Sequence, residues 1–388
     1  MLHPDSALKM ILEEMRKPQT ERVPIVEALG RVLAEQIVST LDSPPFAKSA
    51  MDGYAVCRED SSHSFQLLES IAAGKVPTQV VRPGQCSKIM TGAMMPEGAG
   101  KVIRVEYTEE KDGRVTQLQP DPYGNVIQRG ENLKKGDPVL APRVLQPQDI
   151  GVLASLGIEE VLVALRPLVG VINTGSELRN PGEKLKAGEI YNSNGAQLCA
   201  QIASAGARYR YYGIIEDEPP ELRAAITKAF ADCDMVLITG GVSMGDYDYV
   251  PEVLEENGVR IRFHKLAVKP GKPTLFGQKD DTFVFGLPGN PVSTFVIFEV
   301  FVKPLLFRLT GIDYVPPRSK GRLAKPIKRR SSERVEFRPV QLRGDEVHPI
   351  KYHGSAHLDA LSQTNGLVRI EIGVELIDKG AEIDVRQI

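Results

Sequence analysis

Three short apolar runs, each closing on a glycine-bearing loop and separated by stretches of helical periodicity, constrain this chain more than any other feature. Residues 168–172 lead into Asn173-Thr174-Gly175-Ser176-Glu177. Residues 235–238 lead into Thr239-Gly240-Gly241-Val242-Ser243, and residues 282–285 into Gly286-Leu287-Pro288-Gly289-Asn290-Pro291. Between them, Leu198, Ile202 and Ala205 share one helical stripe, and Leu222, Ala225, Ile226 and Ala229 share another. A long apolar helix is expected over 292–309. Strands alternating with helices predict an α/β unit whose parallel-type sheet is covered on both faces, a three-layer arrangement. The right-handed crossover rule gathers the three loops at one sheet edge, where open α/β sheets bind their ligands.

The flanking sequence has a different texture. Leu8, Ile11, Leu12 and Met15 predict a helix over 5–16 that Pro18 ends. A second amphipathic piece is expected over 25–33 and a third over 148–156. Over 42–132, short β-like runs alternate with turns such as Arg82-Pro83-Gly84 and Asp112-Gly113, which predicts a mainly β domain. Residues 1–41 and 133–166 are then expected to pack together, with 42–132 inserted between them. The α/β unit spans 167–314. After Pro316-Pro317, alternation at Val335/Phe337, Val368/Ile370/Ile372 and Ile383/Val385 predicts a C-terminal all-β domain over 315–388.

Composition excludes several function classes. Lys and Arg number 48 against 50 Asp and Glu, a formal net charge of −2, so the chain is not one that coats nucleic acid with basic charge. Eight basic residues crowd 318–334 against the single acid Glu333, but no aromatic residues interleave to stack bases. The best candidate membrane span, 292–302, is short and holds Glu299. Charged residues throughout the first turns leave no apolar signal-peptide core. Cys57, Cys86, Cys199 and Cys233 have neither disulfide-framework nor zinc-site spacing, which points to a reducing cytoplasm and structural thiols.

The loops carry the chemistry. Glycines at Gly175, Gly240, Gly241 and Gly289 let backbone N–H groups approach an anion closely. The 286–291 loop delivers its amides to a helix start, which favours phosphate or another oxyanion. Acids follow the strands: Glu177, Asp217, Asp246 and Asp248. Lys265, Lys269 and Lys272 lie within eight residues, stiffened by Pro270-Gly271, and on a strand Lys265 and Lys269 share a face. Carboxylates facing lysines across a polyanion suggest a bridging hard cation, Mg²⁺, held by one or two carboxylates and substrate oxygens. No Walker P-loop is present. In the β domain, Asp52-Gly53 and Met90-Thr91-Gly92-Ala93 are turn signals that carry a carboxylate and a hydroxyl.

Taken together, Pro44-Pro45-Phe46, Ser49-Ala50-Met51-Asp52-Gly53-Tyr54-Ala55, Met90-Thr91-Gly92-Ala93, Gly130-Glu131-Asn132, Asn173-Thr174-Gly175-Ser176-Glu177-Leu178 and Ile190-Tyr191-Asn192-Ser193-Asn194 resemble the molybdopterin molybdenumtransferase family, MoeA and the gephyrin E-domain. The resemblance continues through Gly240-Gly241-Val242-Ser243-Met244-Gly245, Lys269-Pro270-Gly271-Lys272-Pro273 and Gly286-Leu287-Pro288-Gly289-Asn290-Pro291-Val292-Ser293. It implies an elongated N-terminal segment, an inserted β domain, a molybdopterin-binding α/β domain and a C-terminal β-barrel. It also implies a homodimer whose site combines the α/β part of one subunit with the inserted domain of the other. The implied reaction inserts molybdate into adenylylated molybdopterin, with Mg²⁺-assisted cleavage of the diphosphate and release of AMP. The molybdopterin adenylyltransferase and cofactor-accepting enzymes are the implied partners.

By the same resemblance, Asp52, Thr91, Glu177, Asp217, Asp248, Lys265 and Lys269 are catalytic, and Asp217 and Asp248 hold the metal. Gly175, Gly240, Gly241, Ser243, Lys272, Pro288, Gly289, Asn290, Ser355 and Arg338 contact substrate. The family's C-terminal arginine falls on Pro339 here, so that Arg338 takes its role, or Arg334 does, or the C-terminal contact is altered. A gephyrin-like scaffold without turnover, a tungstate-preferring enzyme and an adenylyltransferase acting one step earlier are the alternatives.

Overall fold

The apolar runs pair into a single sheet of six strands in the order Arg208–Ile215, Leu168–Thr174, Met235–Thr239, Thr282–Leu287, Leu275–Lys279 and Arg260–Phe263. The computed structural model describes residues 1–13, 17–216, 218–242, 249–351 and 357–388. The first four strands run parallel, and the last two pairings are antiparallel. Met235–Thr239 is buried along its whole length, and its side chains divide between two cores. Met235 and Leu237 join the layer that holds the helix Ser193–Ser204 and the helical run that starts at Pro291. Val236 and Ile238 join Leu222, Ile226 and Val253, from the helices Pro219–Asp232 and Val250–Glu256. This two-sided burial is why the strand reads as a continuous apolar run rather than an alternating one. The long helix expected over 292–309 forms as Pro291–Ile297 and Lys303–Leu309, joined by a π-helical turn, Phe298–Val302.

The first helix, Pro4–Glu13, packs on the α/β unit: Ala7 and Ile11 enter its core. Arg369 ties the same helix to the C-terminal domain, donating to both Asp5 oxygens at 2.6 and 2.8 Å. The helix expected over 25–33 does not form. Ile25–Glu27 makes one 3₁₀ turn after Pro24, Gly30 takes φ +73°, and Val26 and Leu29 remain 81% and 53% exposed. Ala28 and Leu33 are buried in the neighbouring core, but Val26 and Leu29, on the expected helical stripe, cover no surface, and a single turn does not propagate without a packed face.

Thr20–Pro24 pairs antiparallel with Glu160–Ala164, and Ile37–Val38 pairs with Pro138–Leu140. Val23, Leu33, Leu145, Leu153, Val161 and Val163 form the core between them. The helix Pro147–Ser155 opens with a capping box, Gln146 with Asp149, and Pro147 stands where its missing N–H costs nothing.

The intervening chain forms another six-stranded sheet, in the order Lys101–Arg104, Gly53–Val56, Gln85–Ile89, Ser64–Ile71, Arg114–Gln117 and Thr108–Lys111. Gly53 lies so close to Ile103 that a Cβ there would collide with its carbonyl oxygen.

The C-terminal strands Val335–Arg343, Glu346–Pro349, Arg318–Leu323, Glu382–Gln387 and Gly366–Ile370 pair in that order, and the last closes on the first. This closed β-barrel is filled by Leu323, Val340, Val347, Val368 and Val385. Val268–Lys269 leaves the α/β unit to pair parallel with Val335 and Glu336. The four cysteines are free, and burial pushes the Cys86 thiol up to about 12, which makes it inert. No described helix is long and apolar enough to cross a membrane.

Candidate active site

A cavity of about 620 Å³ opens at the carboxyl ends of the central strands, lined by Thr174, Glu177, Thr239, Gly240, Pro288, Gly289 and Asn290. All three glycine loops therefore meet in one place. Their approach is fixed by buried polar contacts. Asn173 donates to the Thr239 hydroxyl at 2.6 Å and accepts from the Asn192 amide at 3.0 Å, which ties two strand ends to the start of the helix Ser193–Ser204. Asn192 caps that helix, accepting from the Gly195 N–H at 3.0 Å. Asn194 donates to the Gly289 carbonyl at 2.7 Å, and the Thr294 hydroxyl donates to the Pro288 carbonyl at 2.6 Å. Each bond satisfies a group that would be costly to bury alone. Gly240 sits at φ +90° directly against the Thr174 carbonyl, a place that only glycine fills. Gly241 also takes positive φ, and its carbonyl accepts from Val250 N–H at 3.3 Å.

Gly175 faces a neighbouring hollow of about 590 Å³, together with Ser176, Arg179, Asn180, Glu183, Glu216 and Glu218. Arg179 bridges to Glu189 at 2.6 Å.

The lysine segment reaches the main cavity through Pro273. His264 contacts the Val242 carbonyl at 2.9 Å, which holds this segment beside the second glycine loop. Lys265 is half-buried, and its carbonyl accepts from Leu2 N–H at 3.0 Å; Lys272 is exposed. Lys269 directs its ammonium at the buried Glu336, 3.3 Å away. Arg338 reaches the same carboxylate from two residues along the strand, with Nε at 2.8 Å. Arg334 instead donates to the Val268 carbonyl at 3.2 Å. Burial pushes the Glu336 carboxyl up, but the charges of Arg338 and Lys269 outweigh this and hold it below the usual glutamate range.

In the inserted sheet, Asp52 and Thr91 stand together. Thr91 donates its N–H at 2.6 Å and its hydroxyl at 2.8 Å to one Asp52 oxygen. The amide first, and the hydroxyl second, hold Asp52 below the usual aspartate range. No residue of the inserted sheet lines the strand-end cavity of its own chain.

Asp217, Ser243, Asp248 and Ser355 lie outside the described residues. Among the described residues no three His, Cys, Asp or Glu side chains converge as a metal site. Tyr191, Asn192, Asn194 and Pro273, which belong to the motifs of the resemblance but were not named as site residues, line the cavity, as does Leu358, which no motif includes. An asparagine directly before an apolar-periodic helix was the available signal for Asn192. Glu336 was also missed. An acid between Val335 and Phe337 and close to Arg334 and Arg338 was its signal.

A glycine-lined cavity at the strand ends of an open α/β sheet defines a small-molecule-binding α/β protein, here carrying an inserted β-sheet and a C-terminal barrel. Family models match along the chain: the MoeA N-terminal region (domain I and II) over residues 2–157, a probable molybdopterin binding domain over 170–308, and the MoeA C-terminal region (domain IV) over 320–388. A molybdopterin molybdenumtransferase of Haemophilus influenzae is 36% identical over 386 residues, covering 96% of this chain and 95% of its own. One from Nostoc is 35% identical, covering 95% of this chain and 89% of its own. The crystal structure of a molybdopterin biosynthesis MoeA protein from Pyrococcus horikoshii OT3 superposes with a TM-score of 0.88 at 33% identity, covering 100% of both chains. The chain belongs to the MoeA family.

Proposed function

We infer that the chain is a molybdopterin molybdenumtransferase, an enzyme of molybdenum cofactor biosynthesis. The observation that carries this is the full-length relationship to enzymes of that name, at 36% identity with both chains covered almost end to end. The strand-end cavity supplies a place for the pterin substrate. We further propose that the substrates are adenylylated molybdopterin and molybdate, that the diphosphate is cleaved with release of AMP, and that the work is done in the cytoplasm.

In this reading the loop amides around Gly240 and Gly289 receive the substrate's anionic groups, and Glu177 and Asn290 orient it from the cavity wall. Lys265, Lys269 and Lys272 offset the charge of molybdate and of the diphosphate. Fixed donors aimed at an oxyanion stabilise it without reorganising. The described residues place a single carboxylate, Glu177, at the cavity. A magnesium ion on Asp217 and Asp248 is what the resemblance implies, and it would offset the charge of the diphosphate.

Asp52 and Thr91 are proposed to complete the cavity from the partner subunit of a homodimer, since their own chain's cavity excludes them. The four-part division at 1–41 with 133–166, 42–132, 167–314 and 315–388 belongs to the same proposal. So do the adenylyltransferase and the cofactor-accepting enzymes as partners. The test incubates the purified protein with adenylylated molybdopterin, molybdate and Mg²⁺. The expected result is stoichiometric AMP release with formation of active cofactor; neither product appearing would overturn the reading.

A further inference from the structure

We propose that Glu336 is a positioning residue for molybdate insertion: its buried carboxylate, carried by the barrel, fixes Lys269 and Arg338 side by side at the seam with the α/β sheet. The inference rests on the enzymatic reading above.

Glu336 is 0% exposed, yet three cations converge on it. One oxygen accepts from Lys269 Nζ at 3.3 Å and Arg329 Nε at 3.1 Å; the other accepts from Arg338 Nε at 2.8 Å and from its Nη2. The cations are not equivalent. The Arg329 side chain is 1% exposed, and its remaining donors go to the carbonyls of Glu371 at 2.8 Å, Val374 at 2.9 Å, and Arg334. It is committed to the barrel. Lys269 and Arg338 keep 36% and 19% of their side-chain surface exposed, so both can face a ligand while their positions are set from behind.

The backbone enforces the arrangement. Val268–Lys269 pairs parallel with the barrel strand, Lys269 in register with Glu336. Arg338 lies two residues beyond Glu336, on the same strand face. A single carboxylate among three cations leaves the seam with surplus positive charge while preventing the cations from driving one another apart. Without it, Arg329 has no route to water, so Lys269 and Arg338 are the groups that swing out. The electrostatic effect of deleting a negative charge would tighten anion binding; the loss of fixed geometry would weaken it. Fixed geometry prevails here, because long, partly exposed side chains lose most of their value as anion donors once their rotamers are free.

The test measures steady-state kinetics of Glu336→Gln with molybdate varied at saturating adenylylated molybdopterin. The expected result is a rise of about tenfold in KM for molybdate with kcat within about threefold of wild type. An unchanged or lower KM overturns the proposal. So does a loss confined to kcat at constant KM, which is what a smaller folded fraction produces. Should Glu336→Gln fail to fold, Glu336→Gln with Arg329→Met removes the stranded charge and is read the same way. In a Lys269→Ala background, Glu336→Gln should have a smaller effect than in wild type; full multiplication of the two effects overturns the proposal. A wild-type protein that releases no AMP overturns the enzymatic reading itself, a result separable from a normal wild type with an indifferent Glu336→Gln.

Discussion

Thr91 grips Asp52 twice: its N–H and its hydroxyl both donate to the same carboxylate oxygen, at 2.6 and 2.8 Å. The pair is exposed on the inserted sheet, far in sequence from the strand-end cavity. Its geometry holds a charged carboxylate in one orientation, which suits a group that must meet a substrate from outside its own domain. Thr91→Val removes the hydroxyl and keeps the amide, so the Asp52 pKa should rise part of the way toward an ordinary aspartate. The sign follows from the direction of the shift: a depressed pKa stabilises the fold above the unfolded value and loses that contribution as pH falls through the folded one. Carboxyl-carbon NMR titration of Asp52 in wild type and variant measures this. An identical titration curve in both would contradict the assignment.

If the composite site spans two subunits, inactive variants should rescue one another. Asp52→Asn damages only the inserted domain, and Lys265→Ala only the lysine segment. Random assembly of equal amounts gives half heterodimers, each with one of its two sites intact, so about a quarter of wild-type activity should return. Each variant alone should be nearly inactive. A mixture no better than its components would place both residues in a single-chain site or outside the site altogether.

Two glycines that line the same cavity should respond differently to a methyl group. Gly240 sits at φ +90° against the Thr174 carbonyl, whereas a Cβ at Gly289 meets nothing within 4 Å. Gly240→Ala should destabilise the α/β unit by at least about 1–3 kcal/mol and empty the cavity of its shape. Gly289→Ala should stay within about 0.5 kcal/mol of wild type while still impairing catalysis by crowding the substrate. Thermal melts followed by AMP-release assays separate the two outcomes. Equal stability of both variants would mean that the Gly240 contact does not govern the loop.

Such loops could be read from sequence because their signals are local. The strands that end in these loops are buried on both faces, so their apolar runs are continuous, and the glycines that follow them are visible residue by residue. Leu275–Lys279 and Arg260–Phe263, although paired with near neighbours in the chain, are short, and their apolar residues are mixed with glycine, glutamine, lysine and arginine, so neither carries a clear pattern of its own. The expected helix over 25–33 failed for the complementary reason: Val26 and Leu29 have helical spacing, but the tertiary fold gives them no surface to cover. At the cavity, the glycine loops were legible as residue types, whereas the lysine segment lines it through Pro273 and not through its lysines. The convergence of Lys269, Arg329 and Arg338 on Glu336 was not legible, because it depends on a strand from one unit pairing with the barrel of another. No local pattern specifies that register.

That buried junction should also be visible in the acid limb of stability. Burial alone would raise the Glu336 pKa, but Arg338 and Lys269 bring it below the usual glutamate range. The pairing therefore stabilises the barrel fully above the unfolded glutamate value, and its contribution fades as pH falls through the lower, folded value. Glu336→Gln should remove that dependence, so its acid limb should be flatter than that of wild type. At neutral pH it should be less stable, on the order of 3 kcal/mol, because the Arg329 charge then lies buried without its counter-ion. Adding Arg329→Met should recover part of the loss. Chemical denaturation followed from about pH 8, where the carboxylate is ionised in both states, down to about pH 2, below the ordinary glutamate range, tests all three statements. Parallel acid limbs for wild type and Glu336→Gln would show that the three cations are held by the barrel carbonyls and not by this carboxylate.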